Sequence, residues 1–313
     1  MKNVTKILLT AVICTALFAN QRIDALGGDS GFWPGDRDNV TSFPATINDH
    51  SFLAMDGVGN GGASTTILWD NDGTKWGFGF SGNENNWFTM MYGSGDMGLT
   101  FAFDGHTDNA NDDGVDGMAI GYGQNFSWGE LGAGLTTAGD ASTTWANWRS
   151  GMDCWVFDNA KAHLSMWDSG GDDSYMMMDF DLWTNMDAGG ATVLFGLGFG
   201  YASHDDANGN QTTMTLPAAT VAVEGDLTDW ATVRGFYNQS YTLSASNDGY
   251  AGNGSVADGY TGTTSNYGFG LGFNWGQVSA DLGVSEGLFQ DPFGAMSGYD
   301  DLTTSEVSLT WSF

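Results

Sequence analysis

Cations are the scarcest charged residues in this chain: 8 Lys and Arg stand against 38 Asp and Glu, a formal net charge of −30. A surface so poor in Lys and Arg has no means of neutralising phosphates, which excludes nucleic acid as a partner. Cysteine is nearly absent, with Cys14 and Cys154 far apart and in no metal or redox spacing, so neither a disulfide framework nor a cysteine metal site holds the fold. Proline is limited to four residues. Long apolar runs are missing as well, since nothing approaches the roughly 20 consecutive apolar residues of a membrane helix. Helical periodicity is also lacking.

The one short apolar run follows Lys2 and Lys6 and covers residues 7–9 and 11–19. It is too short to span a bilayer and reads as a signal peptide, residues 1–19, cleaved after Ala19 or, in competition, after Ala25. Cleavage removes Cys14 and leaves six cations against 38 acids, a net charge of −32. Ile13 before Cys14 argues against lipidation. An excess of this size repels itself unless counter-ions screen it. General acidity for solubility in salt is the plain reading of the charge, and a cation-attracting pore is the functional one.

What the chain has in quantity is glycine and aromatics: 48 Gly, 20 Phe, 13 Trp and 10 Tyr. They alternate with period two. Tyr267, Phe269, Leu271, Phe273 and Trp275 share one face, and Gly268, Gly270, Gly272 and Asn274 the other. Val193, Phe195, Leu197, Phe199 and Tyr201 oppose Gly196, Gly198 and Gly200 in the same manner, as Trp76, Phe78 and Phe80 oppose Gly77 and Gly79. Met97, Leu99, Phe101 and Phe103 form another stripe. A soluble sandwich would carry Lys, Glu and Thr opposite its greasy face. Glycine there suits a barrel whose interior holds water, a plug or bent strands. Only closed barrels let strands cross a membrane.

Connections alternate in length. Breaks at residues 70–73, 93–96, 187–190, 225–229 and 276–277 are tight, and polar loops are expected at 104–116, 203–211, 244–263 and 286–302. Counting back from the last segment, with 143–157 taken as one long strand, gives fifteen strands from Ser64 onward; residues 51–56 supply a sixteenth. Fourteen or twelve result if weak segments merge. The expected organisation is a signal peptide (1–19), a lead-in or plug segment (20–50) and an all-β, transmembrane, antiparallel up-and-down β-barrel (51–313).

The chain ends Val307-Ser308-Leu309-Thr310-Trp311-Ser312-Phe313. Alternating apolar residues with a terminal aromatic resemble the assembly signal of bacterial outer-membrane β-barrel proteins. The resemblance implies residence in the cell outer membrane, with lipid and lipopolysaccharide around the chain. It also implies that the barrel-assembly machinery reads Val307, Leu309, Trp311 and Phe313. Ser42-Phe43-Pro44-Ala45 is faintly similar to the Asn-Pro-Ala of long-chain fatty-acid transporters, with Phe43 in place of Asn.

His163-Leu164-Ser165 looks like the His-x-Ser of outer-membrane phospholipase A, but Leu164 and Met166 make the apolar face, so His163, Ser165 and Lys161 are expected to face the lumen. His204, Asp205 and Asp206 supply the residue types of rim proteases, a coincidence expected among 38 acids. Asn109, Asn111 and Asp113 match the first half of an EF-hand loop. Ile120 at the twelfth position rejects a true EF-hand. These residues, with Asp205, Asp206 and Asn208, are compatible with weak Ca2+ or Mg2+ binding and with bridging to lipopolysaccharide phosphates; the alternative is an ordinary Asp/Asn/Gly loop. No cofactor is otherwise expected.

Most tryptophans fit interfacial girdles, although Trp145 and Trp148 have opposite parity and one of them is expected inside. Arg149 and Arg234 are expected on the lumen wall, paired with carboxylates such as Asp179 or Asp181. The leading expectation is a non-enzymatic, porin-like channel for passive diffusion of small solutes, with cation preference and compatible with homo-oligomers. The rivals are a closed structural or surface-interaction barrel and a hydrophobic-ligand transporter.

Overall fold

Strict period-two alternation should give strands with one face in lipid and one in a lumen, and among the described residues it does so from Phe52 onward. A computed structural model describes residues 21–58, 63–81, 87–104, 117–250, 255–284 and 307–313. The strands are β1 (Phe52–Val58), β2 (Ser64–Asn71), β3 (Thr74–Ser81), β4 (Trp87–Ser94), β5 (Met97–Asp104), β6 (Gly117–Phe126), β7 (Gly129–Ala138) and β8 (Ala141–Cys154). They continue as β9 (Phe157–Asp168), β10 (Ser174–Asp187), β11 (Ala191–Asp206), β12 (Gly209–Thr228), β13 (Ala231–Asp248), β14 (Gly262–Trp275), β15 (Val278–Val284) and β16 (Val307–Ser312). Each pairs antiparallel with its sequence neighbours, and β1 pairs with β16, from Phe52 opposite Ser312 to Met55 opposite Leu309. Closure satisfies every edge, which lipid requires. The count of sixteen agrees with the expectation.

Several boundaries differ from the sequence reading: residues 244–248 belong to β13 and 262–263 to β14 rather than to a 244–263 loop, and 225–228 end β12 rather than forming the break. Residues 143–157 are not one strand: β8 ends at Cys154, the chain turns at Trp155, whose φ is 59°, and Phe157 opens β9. Nor is 203–211 a long loop, because His204, Asp205 and Asp206 pair with Gln211, Asn210 and Gly209. The polar composition there marks strands that extend beyond the apolar band rather than a loop. Asp206 shapes this tight turn, its Oδ1 accepting from the backbone N–H groups of Asn208 at 2.7 Å and Gly209 at 2.9 Å. The wall is therefore lopsided, with 12 to 20 residues in each of β8 to β14 and 6 to 10 in each of the others.

Outside, the stripes are exposed: Phe80, Met90, Phe103, Ile120, Phe180 and Phe269 all face away from the lumen. At the end of the barrel where β2 turns into β3, β6 into β7, β8 into β9, β12 into β13 and β14 into β15, Trp76, Trp128, Trp155, Trp230, Trp275 and Trp311 are exposed. Rings pair along this belt, Phe126 against Trp128 at 4.9 Å between centroids and Phe273 against Trp275 at 6.0 Å. Amphipathic aromatics at one level are what a membrane–water interface selects.

Inside lies the chain from residue 21 to 50. It is built from short helices (Gln21–Asp24, Asn39–Ser42) and 3-10 turns (Ser30–Phe32, Pro44–Asp49). Local chemistry sets these turns. Asp29 caps the first 3-10 turn by accepting from the Gly31 N–H at 2.8 Å, and Pro44 opens the second with its φ already fixed. The segment makes hydrogen bonds or packing contacts with inward side chains of strands around the whole ring, a pattern open only to a chain inside the barrel.

Candidate functional site: the occupied lumen

One register row encircles much of the interior. Gly93, Gly98, Gly123 and Gly132 stand directly opposite one another across β4 to β7. The row continues through Asn147, His163, Asp179 and Gly200 to Thr215 on β12. On the glycine stretch the inner segment lies against bare backbone. A methyl group added at Gly98 would overlap the Pro44 carbonyl, one at Gly123 the Ala45 nitrogen, and one at Gly132 the Ser42 carbonyl. This close approach accounts for the glycines of β4 to β7, whereas Gly198, Gly268 and Gly272 make room for the Asp181, Phe236 and Arg234 side chains of neighbouring strands. Asn147 then holds the Ser42 carbonyl through Nδ2 at 3.0 Å, and His163 Nδ1 lies 2.5 Å from Asn147 Oδ1. Trp145 is the inward tryptophan, its ring filling the space that a side chain at Gly134 would take.

Two apolar clusters seat the segment: Val40 and Ile47 against Phe52, Leu68, Met91 and Ala102, and Ile23, Leu26, Phe32 and Trp33 against Trp183, Leu194 and Ala222. Full burial of such side chains stabilises by roughly 1.5–3 kcal/mol each. Charge does the rest. Five of the six cations beyond residue 19 bind within this lumen, and Lys75 pairs with Asp70 beside a turn. Arg37 grips Asp56 of β1 with both oxygens, at 3.0 and 2.5 Å. Arg22 grips Glu224 bidentately at 2.9 Å and also pairs with Asp36. Arg234 bridges Glu224 and Asp281, both at 2.5 Å. Arg149 donates to Glu130 at 2.6 Å and to Asn39 at 2.8 Å, over the Phe43 ring at 4.2 Å. Lys161 pairs with Asp29 and, at 3.2 Å, with Asp181.

Arg149 and Arg234 thus face the lumen but pair with Glu130, Glu224 and Asp281 rather than with Asp179 or Asp181. Register decides this, since Glu130 stands directly opposite Arg149, and Glu224 opposite Arg234. Asp181 stands opposite Lys161 and takes that cation. Asp179 faces His163 and makes no ion pair or side-chain hydrogen bond among the described residues.

Between the inner segment and β8 to β13 a cavity of about 880 Å³ remains. Its lining includes Asp24, Asp29, Asp38, Asp179 and Asp181, with Lys161 as the one Lys or Arg. Asp38 is 8% exposed, and its Oδ1 is buried without a hydrogen-bond partner. Burial first, and then the neighbouring Asp36 carboxylate, hold the Asp38 carboxyl well above the usual range.

No protein-family model and no curated protein matches the sequence. Among solved structures, the barrel is similar to a bacterial polysaccharide outer membrane secretin, with TM-score 0.50 and 10% identity over 84% of this chain and 97% of that one. The chain has the fold of a bacterial outer-membrane β-barrel. Weaker likenesses, each with TM-score 0.46 and 84% coverage of this chain, reach a loop-deleted OmpT of Vibrio cholerae (13% identity, 96% of that chain) and a porin refined at 1.8 Å resolution (11% identity, 98% of that chain). Closed strands, an apolar exterior and an aromatic belt place this outer-membrane barrel in the outer membrane.

The remaining expected residues fall apart from the lumen site. In the outer-membrane barrel Leu309, Trp311 and Phe313 are exposed on the outer face and Val307 is half-buried, while the alternate residue Ser308 faces in, its Oγ accepting from the Gln21 N–H at 3.1 Å. Asn109, Asn111 and Asp113 lie outside the described residues. Among the described residues no group of three His, Cys, Asp or Glu is placed to hold a metal. His204 instead packs against Tyr175 at 4.3 Å and Tyr250 at 5.4 Å. Asp29, Arg37, Asp38, Asp56, Glu224 and Asp281 went unnoticed in the sequence. The signal available was arithmetic: where cations are so few, each one marks a place worth following.

Proposed function

We propose that this outer-membrane barrel is a non-enzymatic diffusion channel for small cationic solutes, narrowed by its inner segment. The observation that carries the reading is the eccentric 880 Å³ cavity with five carboxylates and one lysine on its lining. Acids around a confined aqueous space concentrate cations and repel anions. The lumen cations cannot reverse that bias, because each is neutralised by a carboxylate. Against a His–Ser hydrolase stands the environment of His163, whose ring is turned to Asn147 of the neighbouring strand rather than offered to Ser165 as a base.

Single-channel recording of the refolded chain across a salt gradient tests the proposal. A reversal potential of the sign for cation preference is expected; an anion-preferring potential would overturn it. A closed barrel is the second reading, favoured by the seating of the segment through two apolar clusters and ion pairs. It calls for silence from the full chain and conductance only when residues 20–50 are deleted.

A further inference from the structure

The acids of the cavity are not equivalent. Asp29 and Asp181 share Lys161, and Asp24 accepts from Gln21 Nε2 at 3.3 Å. Asp38 and Asp179 are left over. Asp179 has no ion pair or side-chain hydrogen bond among the described residues, and Asp38, on the cavity lining and more than nine-tenths buried, has a shielded Oδ1 without a hydrogen-bond partner. A buried carboxyl without a partner is costly to ionise, and a cation held in the neighbouring cavity would stabilise its charged form. A bare metal ion does not fit, because the described residues offer no convergent set of three ligands. The space itself has the volume of a small-molecule site, about 300–1,000 Å³. Its lining mixes the carboxylates with apolar surface from Ile23, Phe43, Met177 and Ala218.

We propose that this cavity binds a linear aliphatic diamine, one ammonium group pairing with Asp38 of the inner segment, the other with Asp179 of β10, and the methylene chain crossing the apolar lining. The inference deepens the cationic-solute reading and rests on it for the class of solute. Two positive charges separated by an apolar spacer match two separate carboxylates better than one compact charge does. Binding also ties the inner segment to the wall on the one side where glycines do not seat it.

The test is calorimetric titration of the full, detergent-refolded chain with 1,6-diaminohexane, with 1,6-hexanediol and calcium chloride as comparison probes. Saturable one-site binding of the diamine is expected, with no binding of the diol. Asp38→Asn and Asp179→Asn should each weaken it about tenfold, the loss of one charged contact of about 1.4 kcal/mol, and Asp153→Asn on the far end of β8 should not. Folding of each variant is checked by heat-modifiable gel migration, so that lost binding is scored on folded barrels alone. Unchanged affinity in the Asp38→Asn/Asp179→Asn double variant overturns the site. Equal binding of the diol overturns the charge pairing, and tighter calcium binding lost in the same variants overturns the amine in favour of a metal. Conductance separates the two levels: a silent barrel that binds diamine keeps the site and removes the channel, whereas a cation-preferring barrel that ignores diamine does the reverse.

Discussion

The two sides of the lumen share one register row and put it to opposite uses. Across β4 to β7 the row is Gly93, Gly98, Gly123 and Gly132, and residues 42–48 fill the room they leave, with the Ile47 and Asn48 side chains at Gly93 and backbone at the other three. Across β8 to β12 the same row is Asn147, His163, Asp179, Gly200 and Thr215, and there the space stays open. Side-chain volume at equivalent heights therefore decides where the inner segment rests. The segment is pushed to one side by what it can touch closely, and an eccentric acidic cavity is the consequence.

The largest effect expected from breaking this asymmetry is at the charged anchor. Arg37→Met leaves Asp56, 1% exposed, as a buried carboxylate without its cation, and breaking such a pair costs about 3–5 kcal/mol. Urea unfolding of the refolded barrel should show a loss of that order, and Asp56→Leu combined with Arg37→Met should recover much of it. A loss below 1 kcal/mol would mean that the pair is solvated.

Next comes the glycine wall. Gly123→Val forces the Ala45 backbone away, an overpacking cost of about 1–3 kcal/mol, and limited proteolysis should then cut within residues 21–50. Thr213→Val, on the cavity wall, should change stability by less than about 0.5 kcal/mol. Equal effects of the two would erase the distinction between seat and cavity.

Asp38→Asn should raise stability by about 1 kcal/mol at neutral pH. Asp38 titrates higher in the folded chain than when unfolded, chiefly through burial, with Asp36, Asp56 and Asp24 adding to the shift and Arg37 opposing it. Its unfavourable contribution is therefore absent below the unfolded value near 4 and grows as pH rises towards the folded one. Melting curves of the two proteins should converge in acid and separate at neutral pH; a gap that widens in acid would refute the assignment. The smallest effect is expected from Asp179→Asn, a reduction of cation preference by less than about twofold in reversal-potential measurements with stability unchanged.

The barrel was legible from the chain because period-two alternation is a local property, repeated in sixteen strands and insensitive to what faces each strand. Its errors were also local. The polar ends of β11 and β12 read as a loop because strands that rise above the apolar band lose the alternation while keeping the ladder. The site was legible only in residue type. Arg149 and Arg234 were chosen for being cations on an inward face, but their partners Glu130 and Glu224 follow from register, a relation between two strands that neither strand contains. The glycine faces were visible as an anomaly without a cause, since what they accommodate lies on other parts of the chain: the inner segment at Gly98, Gly123 and Gly132, and side chains of neighbouring strands at Gly198, Gly268 and Gly272.

By itself, then, the sequence determined a closed membrane β-barrel, with sixteen strands favoured over fourteen or twelve, through an alternation that lipid outside and a lumen inside satisfy. Tertiary structure alone decided that residues 21–50 lie against the glycine wall, which carboxylates are neutralised and which, at Asp38 and Asp179, are not. Alternation needs only neighbours along one strand, whereas seating and charge pairing depend on heights matched around a ring.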